Sequence, residues 1–117
     1  MKLKQDKYRK ARGGHSRLLE VSCSKCSEHL FYYQKDGPGI LKRTYLDRIC
    51  NSAKFENLQH LSLDRIPQLV CPKCGEHIGT PIIYKKENRL AFGLFEGAAS
   101  KKIVNSRNNK ECSQYLF

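Results

Sequence analysis

The chain has 117 residues, of which 39% are hydrophobic, contains no tryptophan and carries a formal net charge of +11. This length suits one small domain, which buries only a modest share of its surface and commonly needs a disulfide or a metal for stability. No apolar run approaches the roughly 20 residues of a membrane-spanning helix, so no membrane contact is predicted.

The first segment, residues 1–17, is a basic arm. It holds seven Lys or Arg side chains against Asp6 alone, and it contains the pair Gly13-Gly14. We expect it to be flexible, either as an arm that binds nucleic acid or another anionic surface, or as a solvated end. It lacks the apolar stretch of a secretory signal, so we expect a cytoplasmic protein.

The second segment, residues 18–104, carries the hydrophobic patterning of a β domain. Leu30–Tyr33 predicts a strand, which runs through the turn signal at 36–39 into a second predicted strand, Ile40–Leu46. These two strands are predicted to form a hairpin.

The middle of the chain is ambiguous. Phe55, Leu58 and Leu61 are spaced for a short helix, which Pro67 would end before a strand at Leu69–Val70.

A second hairpin is predicted near the end of the domain. Ile82–Tyr84 meets a turn at 87–89 and then Leu90–Phe95, in which Gly93 indicates a bulge or a close approach of two backbones. Residues 105–117 form a polar tail that ends in Tyr-Leu-Phe.

The strongest pattern in the sequence is an internal repeat. Residues 23–30 and 71–78 share Cys, Lys, Cys, Glu and His at identical offsets. Each copy is interpreted as a zinc knuckle followed by a hairpin. The predicted fold class is therefore mainly β: a small antiparallel domain of two related knuckle-and-hairpin units that share one zinc site.

Four cysteines, Cys23, Cys26, Cys71 and Cys74, are the predicted ligands of one structural zinc ion. A C-x2-C pair places two thiolates on one tight turn, and two such pairs complete a tetrahedral shell with no position open for catalysis. A thioredoxin-like redox pair would explain one C-x2-C but not two, and iron could occupy the same four thiolates.

The remaining Cys and two of the His residues are secondary candidates. His29 and His77 follow each knuckle at the same offset, and six ligands are too many for one tetrahedral ion. Their rings are predicted to pack over the thiolates or hydrogen-bond near them. Cys50 and Cys112 are expected to be free buried thiols, with reactive thiols as the alternative.

The chain resembles the β-tent zinc domains, which include Yippee-like proteins, the thalidomide-binding domain of cereblon and type B methionine sulfoxide reductases. The resemblance spans about residues 21–104 and suggests a small zinc protein of bacterial type. It is carried by the paired knuckles, the glycine turn before 41–49, the Gly75 and Ile78-Gly79 positions, and the segment ending at Lys101-Lys102-Ile103. It implies a β-tent fold and a role as a protein-interaction adaptor.

Two departures from the family pattern concern function. Thr80 stands where Yippee-like and cereblon-type domains place a Trp, so the imide-binding aromatic cage is not expected. Ile103 stands where the reductases place their catalytic Cys, so that chemistry is not expected either.

The function predicted first is a non-enzymatic, zinc-stabilised module that binds RNA or another polyanion. Lys and Arg side chains would hold phosphates while Tyr rings stack on bases. The candidates are Lys42, Arg43, Lys85, Lys86, Lys101, Lys102, Tyr33 and Tyr84. The alternatives are a protein-interaction adaptor of the β-tent type and a thiol oxidoreductase.

Overall fold

The computed structural model describes residue 4 and residues 6–104, and within them the fold is mainly β. The described chain forms one short helix, α1 (Lys7–Ala11), and eight strands. The strands are β1 (Ser16–Cys23), β2 (His29–Asp36), β3 (Arg43–Tyr45), β4 (Ile49–Cys50), β5 (Leu69–Val70), β6 (His77–Tyr84), β7 (Arg89–Leu94) and β8 (Ala99–Ile103). In this part of the chain, no helix has the length and apolar character needed to cross a bilayer.

The strands form two four-stranded antiparallel sheets. The first sheet has the order β4-β2-β1-β8 and the second has the order β3-β7-β6-β5. One knuckle connects β1 to β2 in the first sheet, and the other connects β5 to β6 in the second. The predicted fold class, a small antiparallel β domain with two related halves meeting at a four-cysteine cluster, is confirmed.

The two predicted hairpins have different outcomes. The β6–β7 hairpin forms, and its close backbone approach lies at Gly79, where a Cβ atom would be 2.7 Å from the carbonyl oxygen of Gly93. The prediction that Leu30–Tyr33 and Ile40–Leu46 form a hairpin is wrong, because β3 pairs with β7 of the second sheet and not with β2. Two left-handed glycines, Gly37 (φ 77°) and Gly39 (φ 106°), turn the connection from one sheet to the other.

The middle of the chain forms short 3₁₀ turns, at Leu58–His60 and Leu63–Arg65, and not the α-helix that the spacing allowed. Asn57, in the left-handed conformation at φ 62°, interrupts any helix there. The strand predicted at Leu69–Val70 is confirmed.

The main core lies between the sheets, and the middle segment contributes its central ring. Phe55 is fully buried, with its ring edge-to-face against Phe31 of β2 at 6.3 Å and against Phe92 of β7 at 6.0 Å. Burying one such ring contributes about 1.5–3 kcal/mol. This segment therefore fastens one sheet to the other.

The described part of the basic arm is bound to the domain. Asp6 caps α1 by accepting the N–H groups of Tyr8 and Arg9, and it also forms an ion pair with Arg48 at 2.7 Å. Arg12 donates two hydrogen bonds of 2.7 Å to Glu87. Residues 6–17 therefore make specific contacts with the domain, and the last two already belong to β1. The flexibility expected of the 1–17 arm stays a prediction.

Two arginines are buried. The side chain of Arg48 is 1% exposed and forms ion pairs with Asp6 and with Asp36, the latter at 3.0 Å. The side chain of Arg89 is 4% exposed and forms ion pairs with Asp47 at 2.7 Å and Glu87 at 3.2 Å.

The guanidinium of Arg89 also stacks on aromatic rings, which explains why a charge is tolerated there. Its Cζ lies 3.8 Å from the ring centres of both Tyr8, on α1, and Tyr45, on β3. Arginine suits such a position because its planar guanidinium stacks on rings and is more weakly hydrated than an ammonium group. Arg89 therefore joins the N-terminal segment to the second sheet.

Candidate metal centre

The four predicted cysteines come together where the two sheets meet. The Sγ atoms of Cys23 and Cys74 are 3.6 Å apart, those of Cys26 and Cys71 are 3.5 Å apart, and all four lie within 4.8 Å of one another. Zn–S bonds of about 2.3 Å in a tetrahedron require sulfurs about 3.8 Å apart. The four sulfurs are thus placed to hold one metal ion between the knuckles.

The two knuckles have the same backbone structure. In each, the N–H of the first cysteine donates to a carbonyl five residues on, that of Glu28 or Glu76, at 2.9 Å. In each, the residue after the second cysteine is left-handed, with φ 68° at Ser27 and 79° at Gly75, and donates its N–H back to the first cysteine's carbonyl. The sequence repeat is therefore a structural repeat.

The cysteine environments differ in protonation. Burial raises the pKa of Cys71, but backbone N–H groups of Cys74 and Lys73 aimed at its sulfur outweigh burial and lower the pKa to about 7. The Glu28 N–H lowers the pKa of Cys26, but burial and the neighbouring thiols raise it to about 12. Because four adjacent thiolates repel one another, full deprotonation needs a bound cation, and metal binding releases protons.

The two histidines lie beside the knuckles and bond away from them. His29 Nδ1 donates to a Glu20 carboxylate oxygen at 3.0 Å, and His77 Nε2 donates to the amide oxygen of Gln68 at 2.9 Å. Each partner stands nine residues before its histidine, so the repeat extends to these acceptors as well. No hydrogen bond in the described part of the chain joins either ring to a cysteine sulfur, so their role toward the thiolates stays a prediction.

The predicted nucleic-acid residues are not all on the surface. Tyr33 is 2% exposed, and its hydroxyl accepts the N–H of Tyr45 at 3.0 Å inside the core, so it cannot stack on a base and this prediction is wrong. Tyr84 is half-buried, edge-to-face with Tyr45 and 4.3 Å from the guanidinium of Arg43. Alternation along β2 places Tyr33 on the same inward face as Phe31.

The predicted cations lie in three separate elements. Arg43 is half-buried, whereas the five lysines are exposed: Lys42, Lys85, Lys86, Lys101 and Lys102. Lys42 immediately precedes β3 and Arg43 begins it, Lys85 and Lys86 lie in the β6–β7 turn, and Lys101 and Lys102 are on β8. The structure thus spreads these cations over both sheets.

Two further cations, Arg17 and Lys35, lie close together although no local sequence pattern links them. Arg17 on β1 and Lys35 on β2 are directly opposite each other in the register. Together with Lys101 they line a cleft of about 480 Å³ beneath the glycine-rich connection. They are 18 residues apart in sequence, and only the pairing of β1 with β2 reveals them as neighbours.

The leftover cysteines were expected to be free. Cys50 is fully buried beside Leu18 and Tyr32 and is disulfide-bonded, so a free thiol at this position is wrong. Cys112 lies outside the described residues. Cys50 therefore offers no free nucleophile to the oxidoreductase alternative.

Comparison with known proteins gives no further identification. No family model matches the chain, and neither a curated protein nor a solved structure matches it at a significant level.

Proposed function

We propose that this chain is a non-enzymatic binding module of the β-tent type, stabilised by one zinc ion, whose ligand is RNA. The observation that carries the proposal is a separation of charge: three arginines pair with four carboxylates in an internal network, and the sheet surfaces keep cations that form no ion pair.

The internal network consists of three arginines and four carboxylates, in two groups that share no ion pair. Its members are Arg12, Arg48, Arg89, Asp6, Asp36, Asp47 and Glu87. These seven charges sum to −1. Because the whole chain has a formal charge of +11, all other side chains together carry +12. The three arginines are held inside or against the domain, and the surplus of positive charge lies on other side chains.

The surface cations have no anionic partners in the described part of the chain. No ion pair involves Lys42, Arg43, Lys85, Lys86, Lys101 or Lys102. Unpaired Lys and Arg side chains attract polyanions because binding releases the counterions condensed on the phosphates. Half-buried Tyr84, beside Arg43, supports RNA as the polyanion, since an aromatic ring next to a guanidinium is a stacking platform for a base.

Zinc is favoured as the metal by the chemistry of the four thiolates. Tetrahedral S₄ sites take zinc or iron, and two C-x2-C pairs forming a closed shell are typical of structural zinc. The ion would fix the relative position of the two sheets, because each knuckle belongs to a different one.

Metal content tests the first part of the proposal. We expect about one zinc per chain in the purified protein. The Cys74→Ser variant should lose the metal and its cooperative thermal unfolding, since structural zinc supplies on the order of 10 kcal/mol of apparent folding free energy. The control is Lys73→Ala, an exposed residue of the same turn, which should keep both properties. A folded, metal-free Cys74→Ser protein would overturn the assignment.

RNA binding tests the second part. Fluorescence anisotropy with a random single-stranded 20-mer should give an affinity that falls as salt rises. If about six phosphates are neutralised, the logarithmic slope is about −4 for a single strand. A folded, zinc-loaded protein with no RNA binding, or with salt-independent binding, would refute the RNA ligand and favour the β-tent adaptor.

A further inference from the structure

Three cations share one face of the first sheet. Arg17 on β1 is directly opposite Lys35 on β2, and Lys101 on β8 is opposite Val21 on β1. Side chains two residues apart on a strand point to the same face, so the three cations lie on the same face as the buried side chains of Leu19 and Val21. Together with residues 37–39 of the connection that follows β2, they line one cleft.

These cations lack an acidic partner. No ion pair in the described chain involves Arg17, Lys35 or Lys101, and Lys35 Nζ donates only to the carbonyl of Gly37, at 2.8 Å. The adjacent Asp36 points to the opposite face, where it binds Arg48.

Such an arrangement costs stability in the free protein. Like charges directly opposite in an antiparallel pair destabilise the sheet. Burial, and then the charges of Arg17 and Lys101, lower the pKa of Lys35. An anion bound among the three side chains would remove this repulsion.

The cleft between these cations has the size and lining of a ligand site. Its volume is about 480 Å³, and Leu19, Pro38 and Ile103 supply its apolar walls. Binding sites for small groups span about 300–1,000 Å³ and combine apolar walls with a few convergent polar groups. Ile103 is 58% exposed, so an apolar wall faces solvent beside the cations.

We propose that this cleft binds a phosphate group of the ligand through Arg17, Lys35 and Lys101. The Arg17 guanidinium is the planar, two-pronged donor to phosphate oxygens, and the two lysines act as point charges. The inference rests on the proposed function for the identity of the ligand as RNA, but the phosphate chemistry follows from the cleft. The phosphate is a backbone diester or a terminal monoester.

The test compares two charge-matched variants. The cleft variant is Arg17→Ala/Lys35→Ala/Lys101→Ala, and the control is Lys85→Ala/Lys86→Ala/Lys102→Ala, which removes three cations elsewhere. Inorganic pyrophosphate is titrated by calorimetry, and 5′-phosphorylated and 5′-hydroxyl RNA 20-mers by anisotropy. We expect the cleft variant to weaken pyrophosphate binding more than about tenfold and the control less than about threefold.

The RNA arms identify the source of the phosphate. A loss by the cleft variant confined to the 5′-phosphorylated strand assigns the site to a terminal monoester, and an equal loss for both strands assigns it to the backbone. Thermal melting checks the fold, and the cleft variant should melt no lower than the wild type because repulsion is removed. If the cleft variant melts at a lower temperature than the wild type, the charge-reversal variant Lys101→Glu, which changes one exposed side chain, is used in its place. The same changes in pyrophosphate and RNA affinity are then expected.

The outcomes separate this inference from the proposed function. RNA binding that both variants weaken equally, with no pyrophosphate bound by the wild type, overturns the phosphate cleft but leaves RNA as the ligand. Pyrophosphate binding that only the cleft variant loses, with no RNA bound, supports the cleft and refutes the RNA ligand. A polyglutamate peptide that binds through the same three residues while pyrophosphate does not would overturn the phosphate assignment.

Discussion

Removing Asp47 should destabilise the protein, because it leaves the buried charge of Arg89 short of a partner. The Arg89 side chain is 4% exposed, and its guanidinium forms an ion pair of 2.7 Å with the carboxylate of Asp47. The Asp47 side chain is 26% exposed. Glu87 remains at 3.2 Å, but it is shared with Arg12. The Asp47→Ala variant therefore tests whether the internal network depends on matched charges.

The expected loss follows from burial and from the contact that remains. Breaking a fully buried ion pair from one side costs about 3–5 kcal/mol. Because Asp47 is partly exposed and Glu87 is retained, we expect the free energy of unfolding to fall by about 2 kcal/mol in Asp47→Ala. Arg89→Met removes the charge and keeps the stem, but it loses the stacking on Tyr8 and Tyr45, at about 0.5–2 kcal/mol for each ring.

A double-mutant cycle makes the prediction decisive. Asp47→Ala should cost less in the Arg89→Met background than in the wild type, with a coupling of about 1 kcal/mol or more. Urea unfolding followed by circular dichroism, at a fixed saturating zinc concentration, measures the four stabilities. A loss below about 0.5 kcal/mol for Asp47→Ala, or additive losses in the double variant, would refute the reasoning.

Three further outcomes are expected. The hydrogen bonds from Arg12 lower the pKa of Glu87 below its ordinary 4.5. Burial raises the pKa of Asp6, but the hydrogen bond and charge of Arg48 outweigh burial and lower it below its ordinary 3.8. The ionised carboxylates of Glu87 and Asp6 therefore stabilise the fold fully above their ordinary pKa values, and this stabilisation is lost as the pH falls through their lowered pKa values. Urea unfolding midpoints measured between about pH 6 and pH 3 would detect the loss. Gly79→Ala places a Cβ 2.7 Å from a backbone oxygen and should lower the free energy of unfolding by about 1–3 kcal/mol in the same urea assay, whereas Thr80→Ala should not. Tyr33→Phe leaves the buried N–H of Tyr45 without its acceptor and should cost about 1–2 kcal/mol in urea, with unchanged RNA affinity by anisotropy.

Local spacing was enough to predict the metal centre. A C-x2-C turn fixes the positions of its two sulfurs within four residues, and the repeat of Cys23 and Cys26 by Cys71 and Cys74 indicated two equivalent turns. The β6–β7 hairpin was predictable for the same reason, since its turn lies between its own strands.

Strand pairing over longer distances was not predictable from local patterns. The turn signal after β2 exists, but residues 37–42 carry the chain to the other sheet, where Thr44 pairs with Phe92. In the structure β2 pairs with β1 and not with the strand that follows it. Part of β1 lies in residues 1–17, which the sequence pattern had indicated as an arm.

The buried arginines were also beyond the sequence. Arginine side chains are mostly exposed in proteins, so the sequence does not predict that Arg48 and Arg89 are buried. Their burial depends on carboxylates from four separate segments. The same limitation hid the Arg17–Lys35 pair, since charge patterning along one strand does not show what the neighbouring strand places opposite.

The position of the cysteines in two sheets has a consequence for the unfolded chain. Cys23 and Cys71 are 48 residues apart, so an ion bound by both knuckles closes a loop that contains the whole middle segment. A cross-link closing a loop of this size reduces the entropy of the unfolded chain by the equivalent of about 4 kcal/mol. A disulfide keeps such a loop closed permanently, whereas a metal link opens when the ion dissociates. Loss of the ion would thus release both the site and the loop, so the stability of the folded chain should depend on the free concentration of the metal that binds there.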